Sequence, residues 1–486
     1  MRNHKHLKAL PLAVAAMMLM GSGVEAASTS APSPTDKPST ELAGSAAQSA
    51  GRAGQTSVSL DSHHPSAAIA DVSVSGTSRL DKEHLLELLP ELKKDHADIK
   101  KLSRQIQLIN DTGSIKLHTR FRPAADGRYN VIIYAEDVQR SFFGLGIANS
   151  GNVYTGNWRT TASWIKTGAG RGADTFGAAY VTSPSGGHLS DVKQAAISYR
   201  AVLPKSADTL TFTASWSDVT LDMDQASLAG LDINAGGRGT AAGLHYRHNF
   251  SYTSRNKDFL DIGYDHKHTS DDQSINFAGV MLPVNNTTYD VDLLSIGYTH
   301  MERTPEFALT YGLGYTQNMD AKGTGYKDVG SYDSSFKYWS FHAACQYRTA
   351  HDWVFGLRGN AQATEDSILP VEQFGTGGMY SVRGFDERII SGDGGASGSF
   401  EIYTPEIAKN QRLIFFADAG WIHNNSSSAY DKNVSLGSAG VGYRWIDSEG
   451  GMALSVDYAV PTNDLPHEYT ADRGHKRWNM SLNMSF

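Results

Sequence analysis

Phe307-Ala308-Leu309-Thr310-Tyr311-Gly312-Leu313-Gly314-Tyr315 places a large apolar side chain at every second position and a small or polar residue between. A period of two sends these two sets to opposite faces of an extended strand. The alternation recurs in Leu210, Phe212, Ala214 and Trp216, and in Met452, Leu454, Val456, Tyr458 and Val460. It closes the chain, where Trp478, Met480, Leu482, Met484 and Phe486 alternate with Asn479, Ser481, Asn483 and Ser485. Apolar residues toward lipid and Gly, Thr, Ser or Asp toward a lumen is the pattern of a membrane β-barrel. A soluble β-sandwich also alternates, but its core would place apolar side chains on the face that here carries small polar ones.

Outward from that stretch, about 16 such segments are counted from Ser141 to Phe486, beginning near Phe143, Trp158, Thr175, Lys193, Thr209, Gly239, Phe259, Val291, Glu306, Phe336, Trp353, Gly398, Leu413, Ser435, Met452 and Arg477. An even count suits a closed antiparallel bacterial barrel, and about 22 residues per strand and connection is ample for strands of about 10 residues. Connections after even segments are short, as at Thr304-Pro305 and His351-Asp352. Those after odd segments are mostly long, with Asp271 to Tyr289, Gln317 to Ser334 and Glu365 to Ser397 as the clearest loops. Short turns on one side and long loops on the other are the asymmetry of outer-membrane barrels.

Composition agrees with this reading. The 486 residues carry 43 Lys+Arg and 51 Asp+Glu, a net charge of −8, and only 19% are charged. A slightly acidic chain without a clustered basic surface gives no support to a nucleic-acid partner. One cysteine excludes a disulfide framework and a Cys-rich zinc site. Beyond the N-terminus no stretch reaches 18 consecutive apolar residues, which excludes helical spans.

The N-terminal part divides by composition. Arg2, Lys5 and Lys8 precede the apolar run Leu10–Met20 and the small-residue site Val24-Glu25-Ala26, so residues 1–26 read as an export signal. Residues 27–66 are rich in Ser, Ala, Thr, Pro and Gly with few large apolar side chains, a composition expected to stay a disordered linker; Thr40–Arg52 is its one candidate for a short helix. Residues 67–138 read as a compact module of order β-α-α-β-β. Ile69 to Val74 alternates as a strand, and Asp81 caps a helix carrying Leu85, Leu86, Leu88 and Leu89. A second helix is expected over about Ala97 to Ile109, and two strands, Ile115–Phe121 and Tyr129–Ala135, turn through Asp126-Gly127. Residues 139–486 are the barrel. The fold expected is thus an all-β transmembrane barrel of about 16 strands after one small α+β module.

Two motifs stand apart from the alternation. Val382-Arg383-Gly384-Phe385 lies in the longest loop, between segments eleven and twelve. Phe416-Ala417-Asp418-Ala419-Gly420 lies on segment thirteen, where Leu413, Phe415, Ala417, Ala419 and Trp421 share one face. Phe416, Asp418 and Gly420 therefore share the other, and it must be the lumen, since a carboxylate facing lipid is costly. A loop folded into the pore and tied by an Arg–Asp pair is one reading. Spacing alone leaves open the other, a solvated Arg and an unrelated lumenal Asp.

The string Gly377 to Asp393, with Val382-Arg383-Gly384-Phe385 at its centre, resembles the two-partner secretion transporters, the haemolysin-activator branch of the barrel-assembly superfamily. Phe416 to Gly420 matches that superfamily's FxDxG strand motif. The βααββ module looks like a POTRA domain, and the resemblance covers about Ala67 to Phe486. It implies a periplasmic module before a 16-strand outer-membrane barrel, with Arg383 paired to Asp418 inside. It also implies capture of an unfolded exoprotein of haemolysin or adhesin type by the module and its transfer through the pore. Relatives of this kind carry two such modules and a plug helix; here one module is legible, and Thr40–Arg52 is the plug candidate.

The partners expected are the secreted exoprotein, outer-membrane lipid and the barrel-assembly machinery, which reads the terminal aromatic Phe486. No cofactor is expected, and client folding outside can draw the chain through. Catalytic sites are not legible: Gly395-Ala396-Ser397-Gly398-Ser399 lacks the last glycine of a G-x-S-x-G elbow, and His63-His64 and His266/His268 lack a full metal-ligand set. Cys345 shares the lipid-facing register of Trp339, Phe341 and Tyr347. The alternative function is a barrel-assembly insertase that parts its first and last strands for client strands; a passive porin and a hydrolase fit the paired motifs less well.

Overall fold

The computed structural model describes residues 66–486 apart from 139–140, 153–154, 171, 185–190, 223–230, 278–279, 325–334, 427–431, 448–449 and 466–475. The export signal, nearly all of the linker and the Thr40–Arg52 helix lie outside the described residues.

The N-terminal module comprises β1 (Ser66–Gly76), α1 (Lys82–Leu88), β2 (His96–Asp98), α2 (Ile99–Asp111), β3 (Ile115–Pro123) and β4 (Tyr129–Asp137). Its sheet has the order β2-β1-β4-β3, with β1 parallel to β4 and the other pairs antiparallel. Asp81 caps α1 by accepting from the His84 backbone N–H at 2.9 Å. Two features depart from the simple β-α-α-β-β order: a 3₁₀ turn at Pro90–Lys93 and the short strand β2. Ala97 and Asp98, expected to begin the second helix, are extended instead. Asp98 is the N-cap, its carboxylate accepting from the Lys101 N–H at 3.1 Å, so the helix starts at Ile99, two residues later. Leu85, Leu89, Ile109, Ile115, Val131 and Ile133 are fully buried between helices and sheet.

The barrel strands are β5 (Ser141–Ala148), β6 (Arg159–Ala169), β7 (Asp174–Thr182), β8 (Val192–Leu203), β9 (Asp208–Asp222), β10 (Leu231–Tyr252), β11 (Asn256–Phe277) and β12 (Val280–Arg303). They continue as β13 (Phe307–Thr324), β14 (Lys337–Arg348) and β15 (Val354–Ala363). After a loop holding the small hairpin β16 (Phe374–Thr376) and β17 (Ile390–Gly392) come β18 (Gly394–Tyr403), β19 (Gln411–His423), β20 (Asn433–Asp447), β21 (Met452–Pro461) and β22 (Arg477–Ser485). Among the described residues sixteen strands close one antiparallel barrel, with β22 returning to β5. Closure leaves no free edge, so every strand can bond its backbone within the bilayer.

The outer face is the one the alternation indicates: Phe143, Leu244, Ile262, Leu313, Phe341, Leu357, Phe415 and Trp478 are all exposed large apolar side chains. Two expected loops are wholly or partly strand: Gln317–Thr324, expected as the start of a loop, complete β13, whose ladder with β12 runs to Thr288↔Thr324. Asp271 to Tyr289 lies mostly in β11 and β12, which pair from Asn256↔Glu302 to Phe277↔Val280. The reason is physical: beyond the membrane no lipid imposes an apolar face, so the ladder continues where the alternation stops.

The module sits on the short-turn side. From α2, the Arg104 guanidinium donates to the Asn249 carbonyl at 2.6 Å and the Gln105 amide donates to the Pro204 carbonyl at 2.9 Å. Lys257 reaches Asp111 at 2.7 Å. The module's apolar core continues into Ala173, Val202 and Ala207, so its seat is packed as well as hydrogen-bonded.

Candidate functional site

The thirty residues between β15 and β18 fold inward and cross the lumen from one wall to another. Ile368, Leu369 and Val371 pack on Tyr289, Val291, Leu293 and Phe336 along β12 and the start of β14. Glu372 pairs with Lys267 of β11 at 2.6 Å and accepts from the Tyr338 hydroxyl at 3.0 Å. Further on, Phe374, Val382, Phe385 and Ile390 pack on Ile422, Val434 and Leu436 of β19 and β20. The buried Asp393 carboxylate closes the base of the loop, accepting from the backbone N–H groups of Ile368 at 3.0 Å and Asn425 at 2.7 Å.

At the far wall the two motifs meet. Arg383 gives Asp418 a bidentate pair, Nε to Oδ2 and Nη2 to Oδ1, both at 2.7 Å, and its backbone N–H donates to the same carboxylate at 3.1 Å. The guanidinium lies 3.5 Å from the centre of the Phe416 ring, so the first residue of the strand motif stacks on the charge held by the third. Both side chains are removed from water, with 1% and 0% exposure for Arg383 and Asp418.

The pair is part of a larger cluster. Arg383 also reaches Glu401 of β18 at 2.9 Å and Asp457 of β21 at 3.2 Å, and donates to the Ser399 hydroxyl at 3.0 Å. Arg444 donates to Asp457 at 2.9 Å, and Arg358 lies 3.9 Å from Glu401. Two largely buried guanidinium groups, Arg383 and Arg444, with the more exposed Arg358 at the margin, thus face three carboxylates, the balance a buried charged cluster needs. Sequence reading missed Glu401, Asp457, Ser399, Arg358 and Arg444. Parity did place Asp457 opposite the lipid-facing row Met452–Val460, but nothing in the sequence says which inward charge meets the loop.

The glycines of the two motifs have separate tasks. Gly384 sits at φ +91°, a conformation other residues adopt only with strain, with Pro461 3.3 Å from where a Cβ would be. Gly420 has no such torsion; a Cβ there would lie 2.8 Å from the Thr376 hydroxyl and 3.0 Å from a Val382 methyl, so its absence lets the loop lie flat on β19. Val382 and Phe385, on either side of Arg383 and Gly384, are fully buried.

Phe486 lies elsewhere, on the seam. Its N–H donates to the Phe143 carbonyl at 2.8 Å and its carbonyl accepts from the Phe143 N–H at 3.1 Å, lengthening a β22–β5 ladder of five residue pairs. Cys345 lies opposite the lipid-facing Leu309 and Leu357 on its neighbouring strands. Among the described residues no group of three or more His, Cys, Asp or Glu side chains is placed to hold a metal ion. What the site offers is an electrostatic clasp on a loop that obstructs the lumen.

A family model described as haemolysin secretion/activation protein ShlB/FhaC/HecB matches residues 127–445. The heme/hemopexin transporter protein HuxB of Haemophilus influenzae is 21% identical over 351 residues, 70% of this chain and 59% of that protein. The chain thus spans about three-fifths of the length of that relative. Among solved structures, CdiB from Escherichia coli superposes with a TM-score of 0.69 at 20% identity, over 86% of this chain and 76% of that one. BamA from Haemophilus ducreyi lacking POTRA domains 1–3 superposes with a TM-score of 0.55 at 15% identity, over 86% and 85% of the two chains.

Proposed function

The chain belongs to the haemolysin secretion/activation family of outer-membrane β-barrel proteins, and from that premise we propose that it moves an unfolded partner exoprotein from the periplasm to the cell surface. The observation that carries the proposal is the clasped loop: a lumen crossed by a segment held by side-chain contacts, the Arg383 cluster and the Glu372–Lys267 and Asp386–Arg477 pairs, is a pore whose obstruction can be released without breaking the barrel ladder. The N-terminal module, a POTRA-like domain of residues 67–138 in this reading, gathers the client beneath the pore. Its β3 is an edge strand to which an extended chain can add. The polar inner wall then keeps the passing backbone hydrated, and folding outside makes passage directional.

The insertase reading would use the seam, where the β5–β22 ladder is the barrel's shortest. The Arg383 cluster lies on β18, β19 and β21, and the loop reaches the first residue of β22 only where Asp386 pairs with Arg477, so the five paired residues of the seam take no part in the clasp and transport is the reading we favour. The test is the set of proteins released into the medium by cells carrying the full chain and by cells carrying a chain without Ala67–Glu136. Transport predicts that one exported polypeptide disappears from the medium while the barrel is still assembled. Release unchanged by the deletion would remove the module from the mechanism.

A further inference from the structure

The solvent face of β3 carries Lys116, His118, Arg120 and Arg122 at alternate positions, while Ile115, Leu117 and Phe121 are buried beneath. Across the ladder stand Glu136, Tyr134, Ile132 and Asn130, so a single acid faces four basic residues. The His118 ring stacks on Tyr134 at 4.7 Å, and the Arg120 guanidinium lies 5.6 Å from the same ring. Tyr134 thus holds the middle of the row in place without neutralising it. Among the described residues Lys116, Arg120 and Arg122 have no ion-pair partner. Like charges along one face of a strand repel, and the row lacks a strand of opposite sign beside it.

The backbone of β3 says where such a strand can lie. The Asn110 side chain, at the end of α2, accepts from the Leu117 N–H at 2.6 Å and donates to the Leu117 carbonyl at 2.9 Å. Both backbone groups of Leu117 therefore point away from β4, and by strand alternation so do those of Thr119 and Phe121. Asn110 occupies the edge at Leu117. The edge from Thr119 to Pro123 stays open, flanked by His118, Arg120 and Arg122.

We propose that this open edge takes a client segment with acidic side chains at alternate positions and apolar ones between, and that Asn110 sets its register by closing the edge at Leu117. An added strand at Thr119–Pro123 turns one set of its side chains toward the basic row and the other toward the module's core. The inference rests on the transport reading and names the chemistry of what the module captures.

The test uses the detergent-solubilised full chain and two synthetic ten-residue peptides, one alternating Asp and Val, the other Lys and Val. The Asp–Val peptide should bind and the Lys–Val peptide should not. Arg120→Glu with Arg122→Glu, at an exposed and a half-buried position, with retained heat-modifiable barrel and unchanged far-UV circular dichroism as the check on folding, should weaken the Asp–Val peptide about tenfold and admit the Lys–Val one, as reversal of two cross-strand pairs predicts. Asn110→Ala, by freeing two more backbone groups, should tighten Asp–Val binding. Equal binding of both peptides, or indifference to the double reversal, overturns the charge rule; weaker binding in Asn110→Ala overturns the register rule. Failure here is separable from failure of transport: if the module deletion stops export while the double reversal changes neither export nor peptide binding, only the edge inference falls.

Discussion

Arg383 ties the loop to three strands, β18, β19 and β21, and its surroundings make its removal differ from removal of its partner. Arg383→Ala leaves Asp418, Glu401 and Asp457 facing one another without the central cation. Asp418→Ala leaves Arg383 still held by Glu401 and Asp457. Breaking a buried pair costs about 3–5 kcal/mol, and hydrogen bonds to charged groups about 1.5–3 kcal/mol each. Hydrogen exchange across residues 374–390 should therefore quicken in both variants and more in Arg383→Ala. The double variant should add little beyond Arg383→Ala, since Asp418 has then lost its partner already. Equal, additive effects would mean that the two side chains act apart. Of this cluster, the sequence made legible only the members that lie in compact motifs. Glu401 and Asp457 are single charges on inward faces, ordinary in a polar lumen. Their role comes from strand register, Ser399 opposite Asp418 and Glu401 opposite Phe416, which periodicity along one strand cannot supply.

At the scale of elements, α1 and the seam each carry a measurable consequence. Asp81 accepts from the backbone N–H of His84 and also lies 2.8 Å from its ring Nδ1. The hydrogen bond to Asp81 raises the His84 pKa above 6.5, and the bonds from His84 lower that of Asp81 below 3.8. Support from the charged imidazole is complete below pH 6.5 and fades as pH rises through the raised value. Support from the carboxylate is complete above 3.8 and fades as pH falls through the lowered one. The cap is thus strongest between about pH 4 and 6.5. In an NMR titration His84 should deprotonate above its ordinary pH, and Asp81→Asn should abolish that shift; an unchanged His84 curve in the variant would disprove the coupling. On the seam, deleting Phe486 removes two reciprocal backbone bonds from the barrel's shortest ladder. Less heat-modifiable barrel should then reach the outer membrane, and an undiminished yield would show that closure does not need the terminal residue. The sequence revealed all sixteen strands because lipid enforces alternation over about 25 Å of height. Beyond that band it revealed little: β11 and β12 run on through Asp271–Tyr289, held by a ladder that leaves no trace in hydropathy.

For the whole molecule, the arrangement is a module seated on the periplasmic turns, a lumen crossed by one loop, and a charged clasp on the far wall. Transport and insertion place the client in different parts of it. A transported chain passes the loop inside the lumen, where Tyr380 is half exposed; an inserted strand adds at the seam, where Phe143 faces lipid. The most direct measurement is photo-crosslinking from each of these two positions in cells that are exporting protein. The account predicts that an exported polypeptide is captured from Tyr380 and not from Phe143. Capture from Phe143 alone would contradict it and make the barrel an insertase.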